Sequence, residues 1–265
     1  YVPIENFIIR LSGGNGRKAA NIFAENQTLF ATARKINLHS SGGEIYGLEP
    51  EKAWNYGLGL SKSFFIGNNQ QLVASADYFI TKFIDQVVVD LENPKQISFY
   101  NLEGKSVSKS LQLEIDYNYL NFLNLRVAYK NYDVKQDYIS GYLQKPLLAK
   151  NRFFINLSID SKRTSTGKNW RWDLTYHYVG AQRLVETVRD QTNSYSPSYS
   201  LWNSQLTRIF SEKIEMYLGG ENIGNFKQIN PIIGSENPFG LDFDASQIYG
   251  PIFGGMIYTG LRLKV

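Results

Sequence analysis

Leu111-Gln112-Leu113-Glu114-Ile115-Asp116-Tyr117-Asn118-Tyr119 changes polarity at every residue, and after a three-residue break the same alternation resumes from Leu123-Asn124-Leu125-Arg126 to Tyr129-Lys130. A period of two puts Leu111, Leu113, Ile115, Tyr117 and Tyr119 on one face of an extended chain and Gln112, Glu114, Asp116 and Asn118 on the other. Such a segment is a β-strand whose two faces meet different surroundings. At about 3.4 Å per residue, nine residues also supply the roughly 9 to 11 needed to cross a bilayer at a tilt.

The same pattern extends in both directions. Phe153, Ile155, Leu157 and Ile159 alternate with Asn156, Ser158 and Asp160; Trp170, Trp172, Leu174, Tyr176 and Tyr178 alternate with Arg171, Asp173, Thr175 and His177. Trp54, Tyr56, Leu58 and Leu60, and finally Ile257, Thr259, Leu261 and Leu263, repeat it near the two ends. No helical periodicity competes. The spacing predicts about ten strands, near 2–12, 54–66, 70–90, 95–119, 122–137, 146–161, 168–183, 198–211, 213–223 and 251–265. Short connections (67–69, 120–121, 161–167, 211–212) then alternate with longer or turn-rich ones (13–53, 91–94, 138–145, 184–197, 224–250).

Composition narrows the function classes. With 265 residues, no cysteine, and Lys+Arg 28 against Asp+Glu 24, the chain has no thiolate site and no disulfide framework. Its excess charge of +4 is spread along the chain rather than gathered into a basic block, which gives no sign of a nucleic-acid partner. No run of eighteen apolar residues could form a membrane helix, so by hydropathy alone the chain would pass for soluble. The 14% aromatic share, Tyr 18 and Phe 16 beside Trp 4, fits that description poorly.

Two architectures alternate in this way: a soluble antiparallel sandwich, and a transmembrane barrel with lipid outside and a wet lumen inside. Strand length favours the barrel, because sandwich strands run to about 5 to 6 residues. Aromatics near strand ends, Tyr117 and Tyr119, Trp170 and Trp172, Trp54 and Tyr56, also suit interfacial girdles. The fold expected is therefore all-β: an antiparallel transmembrane β-barrel with short periplasmic turns and long extracellular loops. In it the charged alternates face inward, since a Lys or Arg turned to lipid at the midplane costs about 2–4 kcal/mol. That places Glu114, Asp116, Arg126, Lys130, Arg152, Asp160, Arg171, Asp173, Glu221, Arg262 and Lys264 on the lumen wall.

In this order the segments resemble the carboxy-terminal part of the barrel of a TonB-dependent outer-membrane receptor. The resemblance rests on Gly16 to Asn26, Leu48-Glu49-Pro50-Glu51-Lys52-Ala53-Trp54-Asn55-Tyr56-Gly57, Asp77-Tyr78-Phe79, Tyr100-Asn101 and Ser108 to Glu114. It continues through Glu221-Asn222-Ile223-Gly224-Asn225-Phe226 and the closing Gly250 to Gly260. Ser110 stands where the family usually has glycine, and Val265 where it usually ends in an aromatic. The resemblance implies a barrel of about 22 strands, of which residues 1–265 supply about ten, the plug domain and earlier strands being absent from this stretch. It also implies the outer membrane of a Gram-negative bacterium as location. The partners implied are membrane lipid, an amino-terminal plug, the remaining strands, TonB acting through the plug, and a small nutrient ligand such as an iron–siderophore. No cofactor or metal is implied.

On such a barrel, ligand contacts come from outer loops. The candidates are Arg17, Glu25 and Arg34 in the first long loop, Arg189, Tyr195 and Tyr199 around the loop from 184, and Phe239 and Tyr249 in the loop from 224. Aromatic faces and guanidinium groups stack on and hydrogen-bond to catecholates, corrinoids or sugars; equally they pack loop on loop. A catalytic set is not visible: His39 and His177 are the only histidines and are far apart in sequence. Asp242, Asp244 and Gln247 could offer oxygens to a calcium ion. Two other functions remain open on sequence alone: a free-standing ten-stranded outer-membrane barrel enzyme, and a soluble β-sandwich glycan-binding module.

Overall fold

The computed structural model describes residues 5–120, 122–161, 169–186 and 194–264. Ten strands follow one another, each antiparallel to the next: β1 (Phe7–Lys18), β3 (Glu51–Ile66), β4 (Gln70–Asp85), β7 (Ser106–Tyr119), β8 (Leu123–Tyr138), β10 (Asn151–Asp160), β11 (Asn169–Val179), β12 (Tyr199–Ile209), β13 (Ile214–Glu221) and β14 (Met256–Leu263). A short strand β9 (Gly141–Gln144) folds back onto the end of β8. The sheet is open, with β1 and β14 as its edges. A second sheet of three strands, β2 (Lys35–Leu38), β6 (Gln96–Asn101) and β5 (Val87–Asp90) in that order, is built from the long connections.

Register keeps each face continuous across the sheet. Ile115 lies opposite Ala74 and Val127, and Val127 opposite Ile155; one residue away, Glu114 lies opposite Ser75 and Ala128. The apolar face is not covered by a second layer among the described residues: Leu113, Ile115, Leu206, Met216 and Leu218 are all exposed, Leu218 at 56%. The buried apolar core lies elsewhere, among Ala20, Ile22, Leu48, Leu91, Ile97, Phe99 and Val185, all contributed by the long connections and their small sheet. A soluble sandwich distributes its apolar groups the opposite way. The sheet instead presents its apolar alternates outward, as a barrel wall in lipid must.

Aromatics mark both margins of that face. Trp54 stacks on Tyr56 at 6.2 Å, and Tyr176 packs on Trp202 at 4.3 Å, towards the long-connection end, termed outer here. At the opposite end Arg208 lies over the Trp170 ring at 4.9 Å, a cation held at an interface where its head can reach water. The 16 residues of β3, β4 and β8 span about 40 Å along the membrane normal at a 40° tilt, so their outer ends rise beyond the hydrocarbon.

The strands expected at 146–161, 168–183 and 251–265 are shorter, running Asn151–Asp160, Asn169–Val179 and Met256–Leu263, and three further segments depart more from the spacing-based expectation. The 95–119 segment is two strands, β6 and β7, broken at Leu102–Lys105. Gly104 turns there with φ 141, and any Cβ on it would lie 2.2 Å from the Asp137 carboxylate that accepts the Lys105 N–H at 2.6 Å. The 70–90 segment likewise ends at Asp85 and continues as β5 in the small sheet. The first described strand runs Phe7–Lys18, past the expected end at 12, while the expected start at 2 lies outside the described residues; the glycine-rich stretch pairs with β3, Gly13 opposite Tyr56, whose ring touches it.

On the inner face aromatic rings lie over glycines of the neighbouring strand. Tyr258 covers Gly219, Tyr217 covers Gly260, and Phe79 covers Gly57; a Cβ at these glycines would meet the rings at 2.4, 2.3 and 2.5 Å.

Candidate functional site

Five connections leave the outer end of the sheet: 19–50, 86–105, 139–150, 180–198 and 222–255. They are knitted into one layer. The first carries a one-turn helix, Ile22–Glu25, and β2, whose parallel pairing with β6 joins it to the second. Arg34 is the central cation. Its guanidinium pairs with Asp244 at 2.8 Å, both side chains about 5% exposed, and it donates to the Leu91 carbonyl at 3.2 Å. Thr32 bridges to Asp244, Ala33 N–H donates to the Phe243 carbonyl, and Ala245 N–H to Ala31. Arg183 holds both Glu92 oxygens, at 3.0 and 2.5 Å, and the Gln144 carbonyl at 2.6 Å. Burial works against the Arg183 cation, but the Glu92 carboxylate outweighs it and holds the group above its ordinary pKa.

Beside these clamps lies an open cavity of about 360 Å³ bounded by Asp90, Glu92, Gln96, Ser98 and Ile139. Its buried Asp90 accepts from the Tyr100 hydroxyl at 2.8 Å and the Glu92 N–H at 2.9 Å. Burial first, and then the hydrogen bond to Asp90, push the Tyr100 phenol well above its usual pKa. Tyr138, buried among the same elements, is pushed up by burial while Arg183 opposes the shift.

The ligand candidates fall in different places. Arg17 is exposed near the end of β1, and Glu25 pairs with Lys18 at 2.5 Å. Arg34 is sealed within the layer, and Arg189 lies outside the described residues. Tyr195 is exposed at 56% and bridges to Arg183 through the backbone. Tyr199 stacks on Phe226 at 4.5 Å and donates its hydroxyl to the Tyr249 carbonyl, which also accepts from Gln182 at 2.9 Å. Phe239 stands fully exposed at 101% at the tip of a knuckle whose base is the Ile233–Asp244 bridge. Tyr199 and Tyr249 are thus brought together; Phe239 stands apart from them as a free prong. Asp244, weighed for calcium, is committed to Arg34, and among the described residues no group of three acidic or histidine side chains could hold a metal ion.

The inward charges share one face, as register shows. Arg126 pairs with Asp116 at 2.6 Å and Glu114 at 3.3 Å, Arg171 grips Asp160 through two bonds of 2.8 and 2.9 Å, and Asp173 accepts from the Ser158 hydroxyl at 2.7 Å. Arg262 pairs with Glu215, and Arg152 lies opposite Lys130 and Val179. His177 sits on this face against Phe154, its pair across the strands. Sequence reasoning did not single out Arg183, Glu92 or Gln182. Their only sequence signal is that they lie in long connections, and contacts between residues 91 apart are not written in any local pattern.

The family model described as TonB dependent receptor-like, beta-barrel, matches residues 1–223. No curated protein matches the chain. Among solved structures, the ferric enterobactin receptor PfeA of Pseudomonas aeruginosa, a mutant in complex with enterobactin, is similar at TM-score 0.67 and 15% identity, over 99% of this chain and 39% of that one. The ferric-catecholate import receptor Fiu of E. coli K12 gives 0.63 and 13%, over 99% and 34%. The ferripyoverdine receptor of the Pseudomonas aeruginosa outer membrane, bound to ferripyoverdine, gives 0.61 and 11%, over 97% and 31%. The chain therefore spans about a third of the length of each. With the two-faced sheet, the knitted outer layer and the family match over most of its length, the chain belongs to the TonB-dependent receptor β-barrel family.

Proposed function

We propose that residues 1–265 form the carboxy-terminal part of an outer-membrane active-transport receptor of a Gram-negative bacterium. The receptor captures a scarce, bulky nutrient, an iron–siderophore being the class favoured, at its outer loops and passes it through a plugged barrel powered by TonB. No bond in the nutrient is broken. The observation that carries this reading is the pairing of an outward apolar wall and an inward charged wall with a loop layer confined to one end. A wall of this kind, ringed by aromatics at both margins, belongs in a bilayer. The fold neighbours named for ferric catecholates, enterobactin and ferripyoverdine support the ligand class.

Within this function the chain contributes three things. The apolar alternates anchor the wall in lipid. The inward ion pairs, such as Arg171 with Asp160, form a polar lining against which a plug can seat and slide. The outer layer offers Tyr195, Phe239 and the Tyr199–Tyr249 contact as aromatic surfaces for a ligand. The test is uptake of ferric siderophores by cells that carry or lack the full-length gene, in a background with and without TonB. Uptake that requires both is expected; a full-length protein extracted by buffer without detergent would refute the barrel reading, and uptake indifferent to TonB would refute the transport mechanism.

A further inference from the structure

Four of the five outer connections are joined in a circle, and in three of them the two junctions fall on a single residue or on two adjacent ones. Arg34 of 19–50 donates to the carbonyl of Leu91 in 86–105, and the next residue, Glu92, holds Arg183 of 180–198. The residue before Arg183, Gln182, donates to the Tyr249 carbonyl in 222–255. That last connection returns to Arg34 through Asp244. Within it, Gln228 accepts from the N–H groups of Tyr249 and Gly250 and donates to the Gln247 carbonyl, which braces 247–250, and the Ser246 N–H donates to the Asp244 carboxylate.

We propose that these four connections form a closed ring and open as one cooperative unit, not loop by loop. Adjacency is what makes the coupling stiff. Leu91 and Glu92 share a peptide bond, as do Gln182 and Arg183, so a displacement at one junction moves the donor or acceptor of the next. Closure adds redundancy: with one junction cut, each connection is still held from its other side. With two cut, the stretch between them leaves the ring; for 180–198 what is left is the tie to 139–150, where Arg183 donates to the Gln144 carbonyl and accepts from the Leu147 N–H. Independent clamps would behave otherwise, each cut acting alone. The ring is indifferent to which nutrient is carried, so it stands whether or not the ligand class proposed above is right. Its consequence for binding is that an occupant touching any one connection shifts the opening of all four.

The test is amide hydrogen exchange on the full-length protein in detergent or vesicles, followed at Leu184 and Ser196, whose N–H groups close 180–198 on itself. Glu92→Leu cuts one junction; Gln182→Leu with Tyr199→Phe cuts the Tyr249 junction, since both side chains donate to that carbonyl. Each cut alone should accelerate exchange by about 3-fold or less, and the two together by about tenfold more than the product of the separate effects, as coupled sites do. A combined effect equal to that product overturns the ring. Unchanged protection in β7 and β8 certifies the barrel. Should it fall, the nearly isosteric pair Glu92→Gln with Tyr199→Phe decides by the same comparison, with a smaller excess expected.

Discussion

Val127 and Ala128 are neighbours in sequence and face opposite media, so one substitution made at each is the sharpest check on the wall. Val127 lies between Ile115 and Ile155 on the apolar face, near the middle of the belt that runs from Leu111 to Tyr119. Ala128 lies between Glu114 and Phe154 on the inner face. An arginine at Val127 must place its guanidinium in hydrocarbon at about midplane depth, at a cost of about 2–4 kcal/mol. That is about 30- to 1000-fold in the folding equilibrium. An arginine at Ala128 meets a lumen and a carboxylate directly across the ladder, and should change stability by about 0.5 kcal/mol or less. The assay is guanidinium unfolding of the full-length protein in lipid vesicles, read by tryptophan fluorescence, with the slope compared between variants so that only midpoint shifts at constant slope count. Equal losses at the two positions, or the larger loss at Ala128, would refute the assignment of faces and with it the barrel.

Arg34→Met leaves the Asp244 carboxylate buried without its cation and should cost about 3–5 kcal/mol of local stability, seen as faster exchange at the Ile233 and Asp244 amides; adding Asp244→Leu should recover most of it. Gly219→Ala, which must drive the Tyr258 ring off the wall, should lose about 1–3 kcal/mol in the same unfolding assay, whereas Gly14→Ala, with nothing within 4 Å of its Cβ, should cost far less. Because the folded state raises the Tyr100 pKa, its contribution to stability is full below the unfolded value of about 10 and is lost as pH rises above it. Tyr100→Phe should therefore remove no tyrosinate absorbance from the folded protein at about pH 11, yet remove one residue's worth once it is unfolded. Loss of absorbance in the folded state would contradict burial of that phenol.

The main sheet was legible because its register rests on a one-residue choice of face, and the alternation at Leu111–Tyr119 states that choice without help from distant parts. The small sheet was not. Val87-Val88-Val89 and Ile97-Ser98-Phe99 alternate or run apolar like any strand, so they merged with their neighbours β4 and β7; in space a break at Gln86 separates β5 from β4 and the turn at Gly104 separates β6 from β7. Gly13-Gly14-Asn15-Gly16 looked like a loop because glycine has little strand preference, but the stretch pairs in register with 53–56 of the next strand, where the Tyr56 ring touches Gly13. Arg34 and Arg183 show a different limit. Composition marks an arginine as exposed and available, and only tertiary placement reveals that carboxylates 210 and 91 residues away have already taken them.

The rings seated over glycines also set a bore. A ring standing away from a strand would reach several ångströms into the interior, and two facing strands of such rings would pinch it. By occupying the space that a side chain on Gly219, Gly260 or Gly57 would take, the rings of Tyr258, Tyr217 and Phe79 sit closer to the wall than a neighbour larger than glycine would allow. Adding one methyl group at those glycines would thus do more than strain the wall: it would lift three rings inward and narrow whatever must move past them.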